Sequence, residues 1–383
     1  MSTRALVVAA VRTPFAPMDG PLAGVHADDL AAAVVRAAVE RAGVDAAAVA
    51  DVVLATATGP GGNLARRAAL AAGLPSTAAG MTLDRQCGGG LDAVTLACRL
   101  VEAGAGDAYV AGGVESASTS PMRAAAAGDE GARGRRFFPR APFAAGGWDD
   151  PGMAFSAETV AAERGIARER QDAYAARSHA RAAAAAAAGA FDAELAPVAG
   201  LGADACPRPR LDAARCARFP PVVRSGGTVT AANSSQIADG AAAVVVMSAG
   251  AARRADLAGG LAHVDSAVAG VDPRVCGLGA VPAVRALIER DPAFSPSAVE
   301  TVAFTEAFAA QVLATVDDLR LDEDRLNPRG GAIALGHPWG ASGAAQVVRA
   351  FYEVRGRDGA TALTAAAVAG GVGVAARWRW EAA

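Results

Sequence analysis

The sequence predicts an α/β protein whose two halves have similarly spaced strand patterns, as if one structural unit were used twice. Short apolar runs suited to buried strands alternate with amphipathic helical patterns, and the runs are similarly spaced in the two halves of the chain. These runs begin near Ala5, Val52, Met81 and Ala108 in the first half, and near Leu261, Val302, Gly331 and Thr361 in the second. Helices between the runs predict crossovers that join parallel strands. At 383 residues, of which 52% are hydrophobic, the chain can bury a large core.

The first strand is predicted from an apolar run near the N-terminus, which extends from Ala5 to Val11 and ends before Arg12. Its length suits a buried parallel strand and is too short for the core of a signal peptide or for a membrane span. The helices are predicted over residues 27–42, 89–102, 281–290 and 340–355. We therefore expect a cytoplasmic protein with no membrane segment.

The second predicted helix begins within three glycines that follow a cysteine, in Asp84-Arg-Gln-Cys87-Gly-Gly-Gly90. A thiol at the first turn of a helix lies near unpaired backbone N–H groups and the positive end of the helix dipole, which both favour the thiolate. The glycines also let a substrate carbonyl approach the backbone. We therefore predict that Cys87 is a nucleophile. The alternative is a small buried hydrophobic residue among tightly packed glycines.

A histidine lies in a second glycine-rich segment, Gly330-Gly-Ala-Ile-Ala-Leu-Gly-His337-Pro-Trp-Gly-Ala-Ser-Gly343. A loop with so few large side chains can bring one imidazole to a bound ligand. Taken alone, His337 is explained as well by a structural hydrogen bond to a carbonyl group. Together with the cysteine turn, it suggests a catalytic pair.

These two motifs make the chain resemble the thiolases, a family of acyl-CoA C-acyltransferases. Further segments extend the resemblance along the chain. They are Val11-Arg-Thr-Pro14, Ala111-Gly-Gly-Val-Glu-Ser116, the helical stretch 165–180, the segment 227–240, and Glu306-Ala-Phe-Ala-Ala-Gln311. The resemblance implies a thiolase-like duplicated fold, with a five-layered α-β-α-β-α core and an inserted loop domain. We expect an N-terminal half of residues 1–116 and 241–259, a coenzyme A-binding loop domain of residues 117–240, and a C-terminal half of residues 260–383.

In a thiolase, an acyl group moves from a thioester to the cysteine, and then to a second thioester's enolate or to free coenzyme A. The resemblance implies that His337 activates Cys87 and that the backbone N–H of Ala369 helps to bind an oxyanion. Two positions depart from the family. Thr305 replaces an asparagine that holds a water molecule, and Ala367 replaces a second cysteine that transfers the α-proton. A hydroxyl can still hold water, but alanine cannot titrate, and no cysteine lies within ninety residues of Ala367 in sequence.

The resemblance also implies residues that bind the substrate. Near Gly152, biosynthetic members have a histidine before the methionine, so the glycine here suggests a different acyl site. The implied residues for coenzyme A and substrate are Ser235, Ala307, Phe308, Met153 and Gly371. The expected substrate is a coenzyme A thioester or the thioester of an acyl carrier protein, which both present a pantetheine arm. The family resemblance further implies a homodimer or homotetramer.

Composition excludes several other chemistries. All 36 basic residues are arginine, so no lysine can form a Schiff base. The net charge of −3 does not favour nucleic acid as a partner. Five cysteines without a framework spacing are expected to be reduced, and no cluster has the spacing of a metal site. We expect no tightly bound cofactor and no metal.

Three functions remain open from the sequence. The first forms or cleaves a C–C bond in a 3-oxoacyl-CoA, with the missing proton transfer supplied by His337, by a residue from elsewhere, or by decarboxylation of a malonyl-type substrate. The second transfers the acyl group from Cys87 to an amine or a hydroxyl. The third is a catalytically degenerate protein that binds acyl-CoA. The first function is favoured because it is the common activity of the family. The retained cysteine turn argues against the third.

Overall fold

The computed structural model describes residues 4–125, 136–138 and 140–382. Within these residues the strands are β1 Ala5–Arg12, β2 Ala16–Pro17, β3 Asp51–Ala55, β4 Ala79–Leu83, β5 Ala108–Glu115, β6 Arg123–Ala125, β7 Arg136–Phe138, β8 Ala238–Ser248, β9 Gly259–Gly270, β10 Thr301–Phe304, β11 Thr361–Val368 and β12 Val372–Ala382. The helices are α1 Ala27–Ala42, α2 Leu64–Ala71, α3 Gly89–Glu102, α4 Met153–Arg164, α5 Arg168–Ala187, α6 Ala213–Cys216, α7 Ala249–Arg254, α8 Ala280–Arg290, α9 Ala309–Leu319, α10 Ala332–Leu335 and α11 Trp339–Val354.

Nine strands pair in a mixed sheet, with both parallel and antiparallel neighbours, in the order β10-β11-β12-β9-β1-β8-β5-β3-β4. Strands β3, β4 and β5 are parallel to one another, as are β10 and β11, and helices connect them. The predicted crossovers are therefore confirmed. The two sets of strands join where β1 pairs with β9 at Leu6 and Val7. Strand β1 is antiparallel to both β8 and β9, so the predicted parallel arrangement of the first strand is wrong.

The three largest hydrophobic clusters of the described residues divide the core into layers. Helices α1 and α2 cover one face of the N-terminal strands, and α8 and α9 cover one face of the C-terminal strands. Between the two sets of strands lie α3 and α11, which pack on each other and on both sets. The order is thus helix, sheet, helix, sheet, helix. The predicted five-layered core is confirmed.

The helices begin and end where local chemistry dictates. Helix α1 ends at Gly43, which has φ of +63°, a left-handed conformation that costs glycine little. The predicted helices over 27–42, 89–102, 281–290 and 340–355 correspond to α1, α3, α8 and α11.

One predicted strand is wrong. The run from Gly331 forms the single-turn helix α10. The carboxylate of Glu306 accepts the N–H of Ile333, and this bond stabilises the turn. Glycine and alanine dominate this run, so it lacks the β-branched residues that would favour a strand. Strands β8 and β12 were not among the predicted starts.

The helices between β5 and β8 pack against elements later in the chain. Helix α4 contacts the 3₁₀ turn Pro273–Leu278 and α9, while α5 contacts α9 and α10. The division of the chain into three parts stays a prediction. Among the described residues, no helix combines the length and the apolar character needed to cross a membrane.

Candidate active site

Cys87 lies in a 3₁₀ turn, Gln86–Gly88, directly before α3. Gln86 adopts φ of +42°, an unusual conformation for a residue with a side chain, and this turns the chain sharply before the cysteine. Cys87 is half-buried and lines a cavity of about 480 Å³. Met153, Trp339 and Ala369 line the same cavity. The predicted nucleophile is therefore accessible to a ligand.

The structure does not support the expected thiolate form of Cys87. The pKa of Cys87 is raised to about 12, because surrounding protein atoms remove it from water and because Cys276 and Glu115 add unfavourable charge nearby. The N–H groups of Cys87 and Ala369 lower the pKa, but by less. Cys87 is thus a neutral thiol at pH 7 and needs a base to react.

His337 lies at the end of the loop between α10 and α11. Its N–H donates to the carbonyl of Gln236 at 2.8 Å, and its Nδ1 pairs with Ser342 Oγ at 2.7 Å. The ring is 3% exposed, and its Nε2 is without a hydrogen-bond partner among the described residues. Burial lowers the pKa of His337 to about 4, so the imidazole is neutral at pH 7. When Nδ1 donates to Ser342, Nε2 is free to accept a proton.

The loops that carry Cys87 and His337 touch through glycines. A methyl group added at Gly90 would lie 2.7 Å from the carbonyl oxygen of Gly340 and 2.7 Å from the nitrogen of Ala344. No side chain fits there, so the start of α3 and the start of α11 make backbone contact. Each glycine follows its functional residue by three positions, which brings the two predicted partners to the same region.

A buried carboxylate positions the start of α11. Glu115 is 1% exposed and accepts hydrogen bonds from the N–H of Ala57 and Thr58 and from the N–H of Gly340 at 3.0 Å. It thereby joins the end of β5, the loop after β3 and the first turn of α11. The sequence analysis did not single out this residue.

A second buried carboxylate positions the segment before His337. Glu306 accepts hydrogen bonds from Tyr174, Ser178 and Asn327, each at 2.7 Å, and from the N–H of Ile333. It connects the end of β10 to α5 of the inserted segment and to α10. Because all of these partners are buried or partly buried, loss of Glu306 would leave several polar groups unpaired.

Thr305 is 2% exposed, and its hydroxyl accepts a hydrogen bond from the amide of Gln346 on α11. The amide oxygen of Gln346 is buried and has no partner among the described residues. Both side chains line a cavity of about 50 Å³ together with Ser342, the partner of His337. This volume is enough for a single water molecule. An amide is therefore present beside Thr305, although it comes from another element.

The turn between β11 and β12 carries the predicted oxyanion donor. Ala369 lines the Cys87 cavity, and its N–H is directed at the Cys87 sulfur. Ala367 precedes it in β11, where it is buried opposite Gly373. Gly371 has φ of +83° and uses its N–H and carbonyl in backbone bonds to Val368 and Val271. Gly371 therefore shapes the turn and is not among the described residues that line the cavity.

The predicted substrate residues fall into two groups. Met153 begins α4 and lines the cavity beside Cys87. Ser235, Ala307 and Phe308 are brought together elsewhere, because the Ser235 N–H donates to the carbonyl of Ala307 and Ser234 bridges to Phe308. This group adjoins the Gln236 carbonyl that holds the His337 backbone. Among the described residues, the three do not line the Cys87 cavity itself.

The sequence analysis missed Cys276. It lies in the 3₁₀ turn Pro273–Leu278, and its sulfur is 3.2 Å from Ser156 Oγ and 4.0 Å from the sulfur of Met153. It is close enough to Cys87 to raise the pKa of that thiol. A signal was present in the sequence, since Cys276-Gly-Leu-Gly279 also places glycines between a cysteine and a helix.

The described residues contain no group of three or more His, Cys, Asp or Glu side chains arranged to hold a metal ion.

Two protein-family models match the chain, one after the other along its length. Residues 5–250 match the model of the thiolase N-terminal domain, and residues 260–379 match that of the thiolase C-terminal domain. The chain is 42% identical to "Putative acetyl-CoA C-acetyltransferase YhfS" of Bacillus subtilis strain 168, over 97% of this chain and 98% of that protein. It is 38% identical to VraB of Staphylococcus aureus strain MRSA252, which carries the same enzyme name, with the same coverage.

Two solved structures are similar to the chain over nearly its whole length. The acetyl-CoA acetyltransferase of Bacillus anthracis superposes with a TM-score of 0.92 and 34% identity, over 99% of both chains. The human mitochondrial 3-ketoacyl-CoA thiolase in complex with CoA superposes with a TM-score of 0.91 and 32% identity, over 98% of both chains.

Proposed function

The chain belongs to the thiolase family, and on that premise we propose that Cys87 carries the acyl group during Claisen condensation or thiolysis of a 3-oxoacyl-CoA. The protein is an acyltransferase of this superfamily and uses coenzyme A thioesters as substrates. The observation that carries the assignment of Cys87 is its position. Its thiol lines a cavity, receives the Ala369 N–H, and lies in a turn that contacts the histidine loop.

His337 is the base that activates Cys87 in this proposal. A neutral thiol with a raised pKa cannot attack a thioester until it loses its proton, and a neutral imidazole can accept that proton. The Nδ1 bond to Ser342 leaves Nε2 for this task. The proton then passes from Nε2 to the leaving coenzyme A sulfur as Cys87 becomes acylated.

The charge that develops on the acyl oxygen is stabilised by backbone N–H groups. Those of Cys87 and Ala369 are directed at the Cys87 sulfur and therefore lie beside the carbon that becomes tetrahedral. Rigid donors at such a position are generally worth about 3 kcal/mol or more of transition-state stabilisation. The glycine after Ala369, Gly370, has φ of +85°, which turns the backbone between β11 and β12.

We propose that Thr305 holds a water molecule in place of the family's asparagine. Its hydroxyl keeps one proton to donate while it accepts from Gln346. Gln346 lines the same small cavity, and its amide oxygen has no partner among the described residues. The two side chains thus provide together the donor and the acceptor that one amide would provide.

The pantetheine arm is expected beside Ser235, Ala307 and Phe308, which adjoin the His337 loop. Met153 and Trp339 contribute apolar surface on the acyl side of Cys87. An acyl carrier protein presents the same arm and is a second possible donor. Parallel assays with an acyl-CoA and with the matching acyl carrier protein decide which donor acylates Cys87 faster.

We propose a homodimer, or a homotetramer built from such dimers. Strand β4 ends the sheet order, and its residues are exposed or half-buried, with Met81 36% exposed. An edge strand of this kind presents unpaired backbone groups that a second copy can bind. Light scattering coupled to gel filtration measures the mass in solution, and a monomer at all concentrations would contradict this proposal.

A cytoplasmic location is also proposed. All five cysteines are free in the structure, including the two beside the active-site cavity. Free thiols of this kind persist in a reducing compartment.

The first test is intact-protein mass spectrometry after incubation with acetyl-, malonyl- and longer acyl-CoAs, with Cys87→Ala as the control. We expect a mass increase equal to one acyl group in the parent protein and none in the variant. Thiolysis of acetoacetyl-CoA, followed by the loss of its absorbance, then tests the second half of the reaction. Well-folded parent protein that forms no adduct with any donor would overturn the assignment of Cys87.

A further inference from the structure

The second cysteine of the site, Cys276, belongs to the C-terminal half and is far from Cys87 in sequence. The turn between β11 and β12 brings them together. The N–H of Ala369 is directed at the Cys87 sulfur, and the N–H of the next residue, Gly370, is directed at the Cys276 sulfur. Consecutive amides of one turn therefore face the two thiols, so both sulfurs lie beside this turn.

The surroundings of Cys276 suit a thiol that changes its protonation state. Ser156 Oγ lies 3.2 Å from its sulfur, and the N–H groups of Cys276, Gly277 and Gly370 are also directed at it. These donors stabilise the thiolate, while burial stabilises the thiol, and the net effect is a raised pKa. At neutral pH the group is a protonated thiol with a prepared site for its anion.

Cys276 also lies beside a residue that lines the cavity. Its sulfur is 4.0 Å from that of Met153, which lines the Cys87 cavity. The side chain is 5% exposed, so its proton is shielded from bulk water while a ligand fills the cavity.

Ala367, at the position of the family's proton-transferring cysteine, cannot exchange a proton. We propose that Cys276 is the catalytic acid and base for the α-carbon of the substrate, a role displaced from β11 to the turn before α8. This inference rests on the proposed function of Cys87 and adds the group that completes the reaction.

In thiolysis, His337 takes the Cys87 proton and the Cys87 sulfur bonds to C3 of the 3-oxoacyl-CoA. The C2–C3 bond then breaks, its electron pair goes to C2, and Cys276 donates its proton there to form the shorter acyl-CoA. Cys276 is left as a thiolate. Free coenzyme A gives its thiol proton to Cys276 and attacks the acyl group on Cys87. The Cys87 sulfur leaves and recovers the proton from His337, so all groups return to their starting states.

The decisive variant is Cys276→Ser, which keeps the size of the side chain but has no acidic proton in the useful range. We expect acylation of Cys87 by acetyl-CoA to be retained in the mass spectrum. The kcat for acetoacetyl-CoA thiolysis should fall by about two to four orders of magnitude, the usual effect of removing a general acid. Exchange of the acetyl-CoA α-protons with D₂O should fall in parallel.

Two further variants separate the role of the thiol from its packing. Cys276→Ala removes the side chain, and adding Ala367→Cys to it supplies a thiol from β11, which should recover part of the lost thiolysis. Cys216→Ser changes a buried cysteine of α6 outside the site and should leave kcat near that of the parent. Thermal unfolding of each variant checks that it is folded.

The outcomes distinguish this inference from the proposed function. Parent protein without a Cys87 adduct would overturn the proposed function. Parent protein that is acylated and thiolytic, with folded Cys276→Ser and Cys276→Ala variants of undiminished kcat and proton exchange, would overturn the inference alone.

Discussion

Cys87 and Cys276 occupy turns of the same kind in different halves of the molecule. Each lies in a 3₁₀ turn directly before a helix, and each is followed by glycine. They differ in what surrounds the sulfur. Cys87 is half-buried and lines the cavity, whereas Cys276 is 5% exposed and pairs with Ser156.

This difference teaches that a cysteine before a helix is not by itself a reactive thiolate. Both thiols have raised pKa values, because burial outweighs the backbone N–H groups directed at them. What separates their roles is access. Cys87 can bond to a substrate, while Cys276 can exchange a proton with one but has little room to carry an acyl group.

The largest effect is expected from His337→Gln, which removes the base that serves Cys87 but leaves Cys276 unchanged. Acylation of Cys87 by acetyl-CoA should slow by about two to four orders of magnitude. Rapid-quench mass spectrometry measures this rate. Ser342→Ala, which only frees Nδ1, serves as the milder control. Equal acylation rates in the parent and in His337→Gln would show that another group takes the Cys87 proton.

The next effect concerns Ala367→Cys, which places a second thiol near Cys276. In the Cys276→Ala background it should raise kcat for thiolysis by about one to two orders of magnitude, since it restores a proton donor. In the parent protein it should change kcat little, because Cys276 already supplies the proton. A large gain in the parent would mean that Cys276 does not act there.

Alkylation by iodoacetamide compares the two thiols directly. With a pKa of about 12, Cys87 gains thiolate with rising pH, so its rate should rise about tenfold per pH unit from pH 6 to 10 without a plateau. Peptide mass spectrometry follows each cysteine, and the less exposed Cys276 should react more slowly. A plateau for Cys87 near neutral pH would instead indicate a lowered pKa.

The smallest effect is expected from Thr305→Val, which removes one hydroxyl and keeps the shape. The kcat for thiolysis should fall about threefold to tenfold, the usual range for one hydrogen bond. Gln346→Leu should give a similar loss, and the double variant should lose no more than either alone if the two hold one water together. Fully additive losses would contradict that shared role.

Much of the fold could be predicted because the strands and the helices have distinct apolar periodicities. The runs at Ala5 and Val52 became β1 and β3, and the five-layered order followed from the family resemblance. The strand predicted at Gly331 was wrong, because glycine and alanine do not favour a strand and because Glu306, on another element, stabilises a helical turn there.

The candidate site also contains residues that the sequence predicted and residues that it did not. Cys87 and His337 were identified because glycines surround them in sequence, and this pattern is local. Glu115 and Gln346 were not, because their partners lie on other elements. No local pattern marks a residue whose importance comes from contacts distant in sequence.

The sequence by itself determined the duplicated α/β architecture, the nucleophile turn, the histidine loop and the loss of a titratable group at Ala367. Only the tertiary structure decided that Cys87 is a neutral thiol and that Cys276 lies beside it. The reason is physical. Periodicity and turn chemistry act between residues close along the chain, whereas the burial and the neighbouring charges that set a pKa come from whichever segments the fold brings together.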